Sequence, residues 1–189
     1  SEKLAPYDVK NMKRFILHEE ESVRLAMKAV LDEPRLVERE REYLLMSDIS
    51  AGSERKAAVE IAEHVRMQEK YHGAMGAVGS VYLGEDLDQG IYDRYVKVYT
   101  KLDRKAASHR VQKRPEGTYV ELYSRGHLWD MEKPYRLISD FAGQQGIRLG
   151  QMWYEDLMLD ELTVKDYEQY IVKVMVPVDK ALIREYNVK

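Results

Sequence analysis

The pattern of apolar and polar positions changes character along the chain. Up to Pro34 the apolar residues Val9, Met12, Ile16, Val23, Met27 and Val30 recur at helical spacing behind Asp8 as N-cap. Glu19 and Ala26 fall on that stripe, so the seam is irregular, and Pro34 after Asp32 and Glu33 closes the helix. So few residues enclose no core of their own. The helix must therefore lie against its own domain or serve as a connecting or dimerisation arm.

Beyond Pro34 the period shortens. Arg41 to Ala51 reads as a strand ending at Gly52, and Ser53 then caps a helix with Ala58, Ile61, Ala62 and Val65 on one face. His72 to Gly84 reads as a glycine-punctuated strand. A turn over Glu85 to Gly90 leads into the strand IYDRYVKVYTKL. Ser108–Val111 and Thr118–Tyr123 flank the turn RPEG and predict a hairpin. Trp129 and Asp130 open a second helix, apolar at Met131, Tyr135, Ile138 and Phe141 and ended by Gly143 and Gly146. Ile147–Leu159 and Tyr167–Val178 are the last strands, with Pro177 at an end or an edge.

Two of these stretches resemble each other. IYDRYVKV from Ile91 and DYEQYIVKV from Asp166 share Tyr-x-x-Tyr followed by alternating β-branched residues, each after a helix and a strand. The expected fold is α+β: duplicated β-α-β-β units forming an antiparallel sheet with two helices on one face, plus the N-terminal helical arm. Between two such halves a concave seam remains, a natural place for a pocket.

Composition narrows the chemistry. The 189 residues contain no Cys, which excludes disulfides, a thiolate metal site and a cysteine nucleophile. No apolar run approaches a membrane span and no signal-peptide pattern opens the chain, so a cytoplasmic, soluble protein is expected. The net charge of −3 makes the chain a poor binder of nucleic acid. No phosphate-binding glycine loop is present. His18, His64, His72, His109 and His127 lack the helical spacing of a metal site and read as solvated or capping side chains, so neither metal nor cofactor is implied. Six basic residues (Lys101, Arg104, Lys105, Arg110, Lys113, Arg114) against Asp103 and Glu116 read as a solvated hairpin. Gly150 to Tyr170 is acidic, with only Lys165 against six carboxylates.

Inside that acidic stretch lies Met152-Trp153-Tyr154-Glu155-Asp156-Leu157. On a strand Trp153 and Glu155 share one face and Tyr154 the other, so one of the two adjacent carboxylates points with the apolar interior. A buried carboxylate costs several kcal/mol, roughly, unless paired. An organic cation would supply the partner charge, with tyrosine and tryptophan faces adding cation–π attraction; a neighbouring Lys or Arg would do so equally well. The chain also carries 14 Tyr against 2 Phe, a bias towards half-wet aromatic surfaces. Tyr82, Tyr119, Tyr123, Tyr154 and Tyr170 fall on strands that should border the seam, whereas Tyr7, Tyr135 and Tyr186 do not.

From Arg39 to about Asp179 the chain resembles the GyrI-like effector-binding domain found in MerR- and AraC-type transcription regulators and also alone. The resemblance rests on the duplicated order, RPEGTYVELYSRG, MWYEDL and YEQYIVKVMVPV. It implies two parts: residues 1–36, a connecting or dimerising helical segment that could pair two chains, and residues 37–189, a small-molecule-binding domain. It also implies a ligand-sensing role towards hydrophobic, cationic and aromatic molecules. Glu155 would be the ligand-facing acid, Tyr154 and Tyr170 would form or flank the pocket wall, and Trp153, Tyr82, Tyr119 and Tyr123 would be weaker additions. DNA would be reached only through a separate upstream winged-helix domain, which these residues do not provide. Two other activities go with the resemblance: hydrolysis of electrophilic small molecules by Glu155 and a Tyr such as Tyr119 or Tyr123, or stand-alone inhibition of a protein partner.

Overall fold

The computed structural model describes residues 20–21, 24–25, 28–50, 52–71, 74–103, 105–126, 130–159 and 170–179. Most of the expected N-terminal arm, Trp129 and the acidic run 160–169 lie outside the described residues. Besides the helical residues 20–21, 24–25 and 28, the described residues form eight strands. These are β1 (Arg35–Arg39), β2 (Glu42–Asp48), β3 (Ala74–Leu83), β4 (Tyr95–Leu102), β5 (Val111–Arg114), β6 (Gly117–Arg125), β7 (Met152–Leu159) and β8 (Ile171–Pro177). Three helices accompany them: α1 (Glu54–Gln68), the short α2 (Gly84–Asp88) where a turn was expected, and α3 (Glu132–Gln145).

All strands join one antiparallel sheet in the order β1-β6-β8-β7-β3-β4-β2-β5. The expected duplication is visible in that order. β2-α1-β3-β4 gives the block β3-β4-β2, β6-α3-β7-β8 gives β6-β8-β7, and the halves meet where β3 pairs with β7. The β-branched ends of the two stretches that resemble each other, from Tyr95 and from Ile171, lie in β4 and β8, the middle strand of each block. Ser53 caps α1, its hydroxyl accepting from the Lys56 amide at 3.2 Å. The helix α3 ends on Gly146, which takes the left-handed φ of 65° that glycine tolerates best, while Gly143 lies inside it.

Both long helices cover the same face. Trp153 pairs with Tyr82 and Ser80 with Val98, so these side chains share a side of the sheet. The cluster under α3 contains Tyr82, Trp153, Ile138, Leu122, Val174 and Val176. Two residues beyond Val98, Thr100 reaches α1. The opposite, concave face carries a second cluster of Leu44, Met46, Val81, Tyr99, Tyr119, Tyr154 and Met175.

The expected 108–123 hairpin does not form. Strands β5 and β6 are joined only through Pro115 and Glu116, yet β5 pairs with β2 at one edge and β6 lies next to β1 at the other. Likewise Glu40 and Arg41 alone link β1 to β2, which sit towards opposite ends of the order. Two links this short bring the two ends of the sheet towards each other. The sheet therefore curls around its concave face.

The buried face of α1 also differs from the expected one. Val59 and Val65 are exposed, and the side turned to the sheet runs through Ala57, Ile61, His64 and Met67. His64 is buried rather than solvated. The Thr100 hydroxyl donates to Gln68 at 2.6 Å, so His64 Nε2–H donates to Thr100 at 2.9 Å and Nδ1 accepts from Ser47 at 2.6 Å. Burial, with nearby Arg110 adding to it, pulls the imidazole down to about 4. The unfolded chain binds this proton near pH 6.5, so the stability from neutral His64 is complete above that pH and is lost as pH falls towards 4. Urea titrations across this window should show a falling midpoint with a contribution of up to about 3 kcal/mol from this group. His64→Gln should remove that part of the slope.

Candidate functional site

The concave face is built around a carboxylate. In the central strand β7, Tyr154 and Asp156 point to this face while Trp153 and Glu155 point under the helices. Both carboxylates are buried: Glu155 is 2% and Asp156 5% exposed. The sequence expectation that one of them enters the interior thus holds on both sides of the sheet.

Cations from three strands converge on Asp156. Lys101 of β4 sits 2.7 Å from Oδ2, Lys173 of β8 3.7 Å from the same oxygen, and Arg114 of β5 3.5 Å from Oδ1. The Tyr99 hydroxyl donates to Oδ1 as well. Burial alone would push this carboxyl up, but the charges of Lys101, Arg114 and Lys173 hold it well below the usual carboxylate range.

Arg114 has the surroundings expected of a bound organic cation. Its guanidinium lies 5.6 Å from the Tyr99 ring centroid and 5.1 Å from that of Tyr154, and those two rings meet edge to face. Glu42 accepts from its Nε at 3.1 Å and Nη2 at 2.7 Å. The side chain is almost fully buried. Of the residues that read as a solvated hairpin in the sequence, Arg114 is thus an interior group and Lys101 a half-buried one.

A second acid lies further along the face. Glu121 of β6 is fully buried and paired with Arg35 at 2.9 Å and with Arg39. Burial would raise its pKa, and the two arginines lower it overall. Across the face five cations (Arg35, Arg39, Lys101, Arg114, Lys173) stand against three carboxylates (Glu42, Glu121, Asp156).

The residues singled out from the sequence divide between the two sides. Tyr154 and Tyr119 join Tyr99 on the concave face, and the Tyr119 hydroxyl donates to the Pro115 carbonyl at 2.5 Å. Burial pushes Tyr119 up to about 12, so it stays protonated. Tyr123 packs at one end with Met158, Ile171, Ala29 and Leu31. Tyr170 is buried just ahead of β8. On the helix side Glu155 accepts from the Ser80 hydroxyl at 3.1 Å and the Tyr82 hydroxyl at 3.5 Å, and Trp153 packs on Tyr135 with ring centroids 5.4 Å apart. Glu155, Tyr82 and Trp153 therefore do not meet Tyr154 and Tyr119 in one pocket. Asp156, Arg114, Lys101, Lys173, Tyr99 and Glu42 were not singled out. The parity of β7 places an acid on each face, and that was the signal available for Asp156.

Among the described residues no group of three or more His, Asp or Glu side chains is arranged to hold a metal ion. No helix among them is long and apolar enough to cross a membrane.

Two substitutions test this arrangement. Asp156→Asn leaves two buried cations, Arg114 and Lys173, and the half-buried Lys101 short of a carboxylate and should cost about 3–5 kcal/mol, read as a lower urea midpoint at unchanged slope. Lys173→Met, which removes surplus positive charge, should be neutral or stabilising. Gly79 lies under the Tyr99 ring, where an added Cβ would overlap the aromatic atoms. Because the Tyr99 hydroxyl is held by Asp156, the ring cannot swing away freely. Gly79→Ala should therefore cost about 1–3 kcal/mol by overpacking.

No family model matches the chain. Over 126 residues, 66% of its length, it is 29% identical to the multidrug-efflux transporter 2 regulator of Bacillus subtilis (strain 168). The match spans 45% of that regulator, so the chain corresponds to less than half of it. Among solved structures, the EcmrR C-terminal domain superposes with a TM-score of 0.56 at 12% identity, covering 78% of this chain and 97% of that one. EcmrR in its DNA complex gives 0.57 at 12% identity, covering 91% of this chain and 66% of that one. A hydrolase from Listeria innocua gives 0.51 at 14% identity, over 81% and 95% of the two chains. At such identities a common fold does not carry an activity across. The resemblance to the GyrI-like effector-binding domain read from the sequence thus stands in the fold as well, and the chain is a relative of a multidrug-efflux regulator.

Proposed function

We propose that this chain is the small-molecule-sensing part of a transcription regulator and takes a hydrophobic ligand on its concave face. The observation that carries this reading is the concave cluster itself. Tyr99 and Met46 come from one half, Tyr154, Tyr119 and Met175 from the other, and they enclose a charged centre on the face that the helices leave uncovered. Relationship to a multidrug-efflux regulator supports it.

A ligand wedged there would bear on both halves at once, and a differential affinity for two curvatures of the sheet is what converts binding into a signal. The described end of the N-terminal segment is placed to feel it. Leu31 bridges to Tyr123, the Asp32 amide donates to the Tyr123 carbonyl at 2.7 Å, and the Asp32 carboxylate accepts from Ser124 at 2.8 Å. In this reading residues 1–36 carry the response towards a second copy of the chain and a DNA-binding domain.

An organic cation, the ligand class expected from the sequence, would find the aromatic cage holding Arg114 and would have to displace it. Isothermal titration with a panel of hydrophobic small molecules should give saturable binding at one site per chain. Tyr154→Ala should weaken it about tenfold or more, and Glu155→Gln on the helix side should change it less than about twofold. Absence of saturable binding across the panel, or loss in Glu155→Gln with Tyr154→Ala unaffected, would overturn the concave-face assignment.

A further inference from the structure

Where the β1–β2 link crosses the end of the concave face, a cavity of about 480 Å³ opens, within the size range of small-molecule sites. Lys173 of β8 and Lys101 of β4 reach its wall, with Leu102 and Met158 as apolar neighbours. Only 7% of the Lys173 side chain is exposed, and the cavity is where it meets solvent. An ammonium so enclosed is either held by ion pairs or readily gives up its proton, which is what turns a lysine into a nucleophile.

In register, Lys173 lies between Asp156 of β7 and Tyr123 of β6 on the concave face. Asp156 is its ion-pair partner, but three cations share that carboxylate and Lys173 holds it least closely. Lys101 stands 2.7 Å from it, Arg114 3.5 Å and Lys173 3.7 Å. Arg39 of β1 and Glu121 of β6 are paired with each other. Around the cavity Glu21, Glu38, Glu40 and Glu42 balance Arg39, Arg41, Lys101 and Lys173, so the wall favours neither an anion nor a cation. Burial, with Lys101 and Arg39 adding to it, pulls the Lys173 ammonium down to about 8 against the opposing pull of Asp156. About a tenth of this side chain is then neutral amine at pH 7.

We propose that Lys173 is a covalent capture site for hydrophobic aldehydes, its Nζ forming an imine with the carbonyl carbon while the hydrocarbon part lies against Leu102 and Met158. The lone pair of the neutral Nζ forms the N–C bond as the C=O π pair moves onto oxygen, which takes up a proton while Nζ sheds one. A second proton on that oxygen and return of the lone pair release water and leave a protonated C=N bond. One aldehyde and one lysine ammonium thus give one iminium and one water, with no oxidant or reductant. The Lys101 ammonium lines the same cavity, donates to the departing oxygen and is restored from solvent. The iminium keeps its positive charge beside Asp156, so the ion pair survives the reaction. A neutral aldehyde also suits a wall of balanced charge. The site is separate from the Tyr99–Tyr154 cluster, and its chemistry holds whether or not that cluster binds a ligand.

The test treats the chain with octanal and cyanoborohydride, which reduces the imine to a stable secondary amine, and locates the alkylated lysines by peptide mass spectrometry. At pH 7 Lys173 should be alkylated about tenfold faster, or more, than the exposed Lys56 and Lys113. Its rate should saturate with octanal and inflect near pH 8, whereas theirs should stay linear in octanal and keep rising above that pH. Lys101→Gln removes a neighbouring cation and frees Asp156 for Lys173, so the inflection should move up and the rate at pH 7 fall by about threefold or more. Alkylation of Lys173 no faster than that of Lys56 and Lys113 overturns the proposal, and a rate linear in octanal overturns the part given to the cavity. Both are read on the unaltered chain, so they decide the matter even if Lys101→Gln fails to fold by far-UV circular dichroism. An unmoved inflection in a folded Lys101→Gln counts against the proposal. Alkylation at Lys173 in a chain that binds nothing from the hydrophobic panel upholds this site and overturns the concave-face assignment alone.

Discussion

Burying the carboxylate of Asp156 sets the terms for the concave face. A charge so enclosed is tolerated only when its partners are also enclosed and correctly oriented, because the loss of hydration exceeds what one imperfect pair returns. Asp156 meets this demand from several directions. Lys101 and Tyr99 come from the first half, Lys173 from the second, and Arg114 from an edge strand. Each partner is itself constrained, since Arg114 is held by Glu42 and sandwiched with two tyrosine rings. The lattice acts as a unit, so its members cannot be assigned separate energies.

That constraint accounts for the departure of β5 from a local hairpin. If β5 folded back on β6, its edge position beside β2 would be lost and Arg114 would no longer face Glu42. Pairing β5 with β2 aligns Arg114 with Glu42 in register and carries its guanidinium to the Tyr99–Tyr154 pair. The short Pro115–Glu116 link then forces the sheet to curl, and the Tyr119 hydroxyl fastens the bend through the Pro115 carbonyl. Electrostatic satisfaction at the centre and curvature of the whole sheet are two aspects of one arrangement.

The same reasoning shows what was legible in the sequence. Periodicity located both long helices and the middle strand of each repeat, because those elements bury one face in a regular pattern. The Ser53 cap and the Gly146 terminus were readable from local chemistry. Pairing partners were not. The RPEG segment has hairpin residues, but its neighbours are chosen by Glu42 and Asp156, which are remote in sequence. The face of α1 was also misjudged, since Ala58 and Val65 look more apolar than His64, yet His64 is buried by three hydroxyl and amide groups arranged in a chain. Polar burial of this kind leaves no hydrophobic signature.

The choice between Glu155 and Asp156 shows why site chemistry is harder to read than fold. A central strand covered on both faces hides both parities, so alternation separates the two acids without saying which one meets a ligand. An aromatic and acidic motif, taken alone, asks for an external cation. Here the chain answers with its own: Arg114 takes the aromatic faces, and Lys101 and Lys173 ion-pair with the carboxylate. Once those partners are counted, the charge of Asp156 is compensated from within the chain and does not call for an external cation. Specificity on such a face is therefore set by the residual of a charge lattice and not by its most conspicuous member. A relative that kept the tyrosines and the acid but replaced Lys101, Lys173 and Arg114 with neutral residues would leave that carboxylate without its ion-pair partners and open the aromatic faces to an external cation.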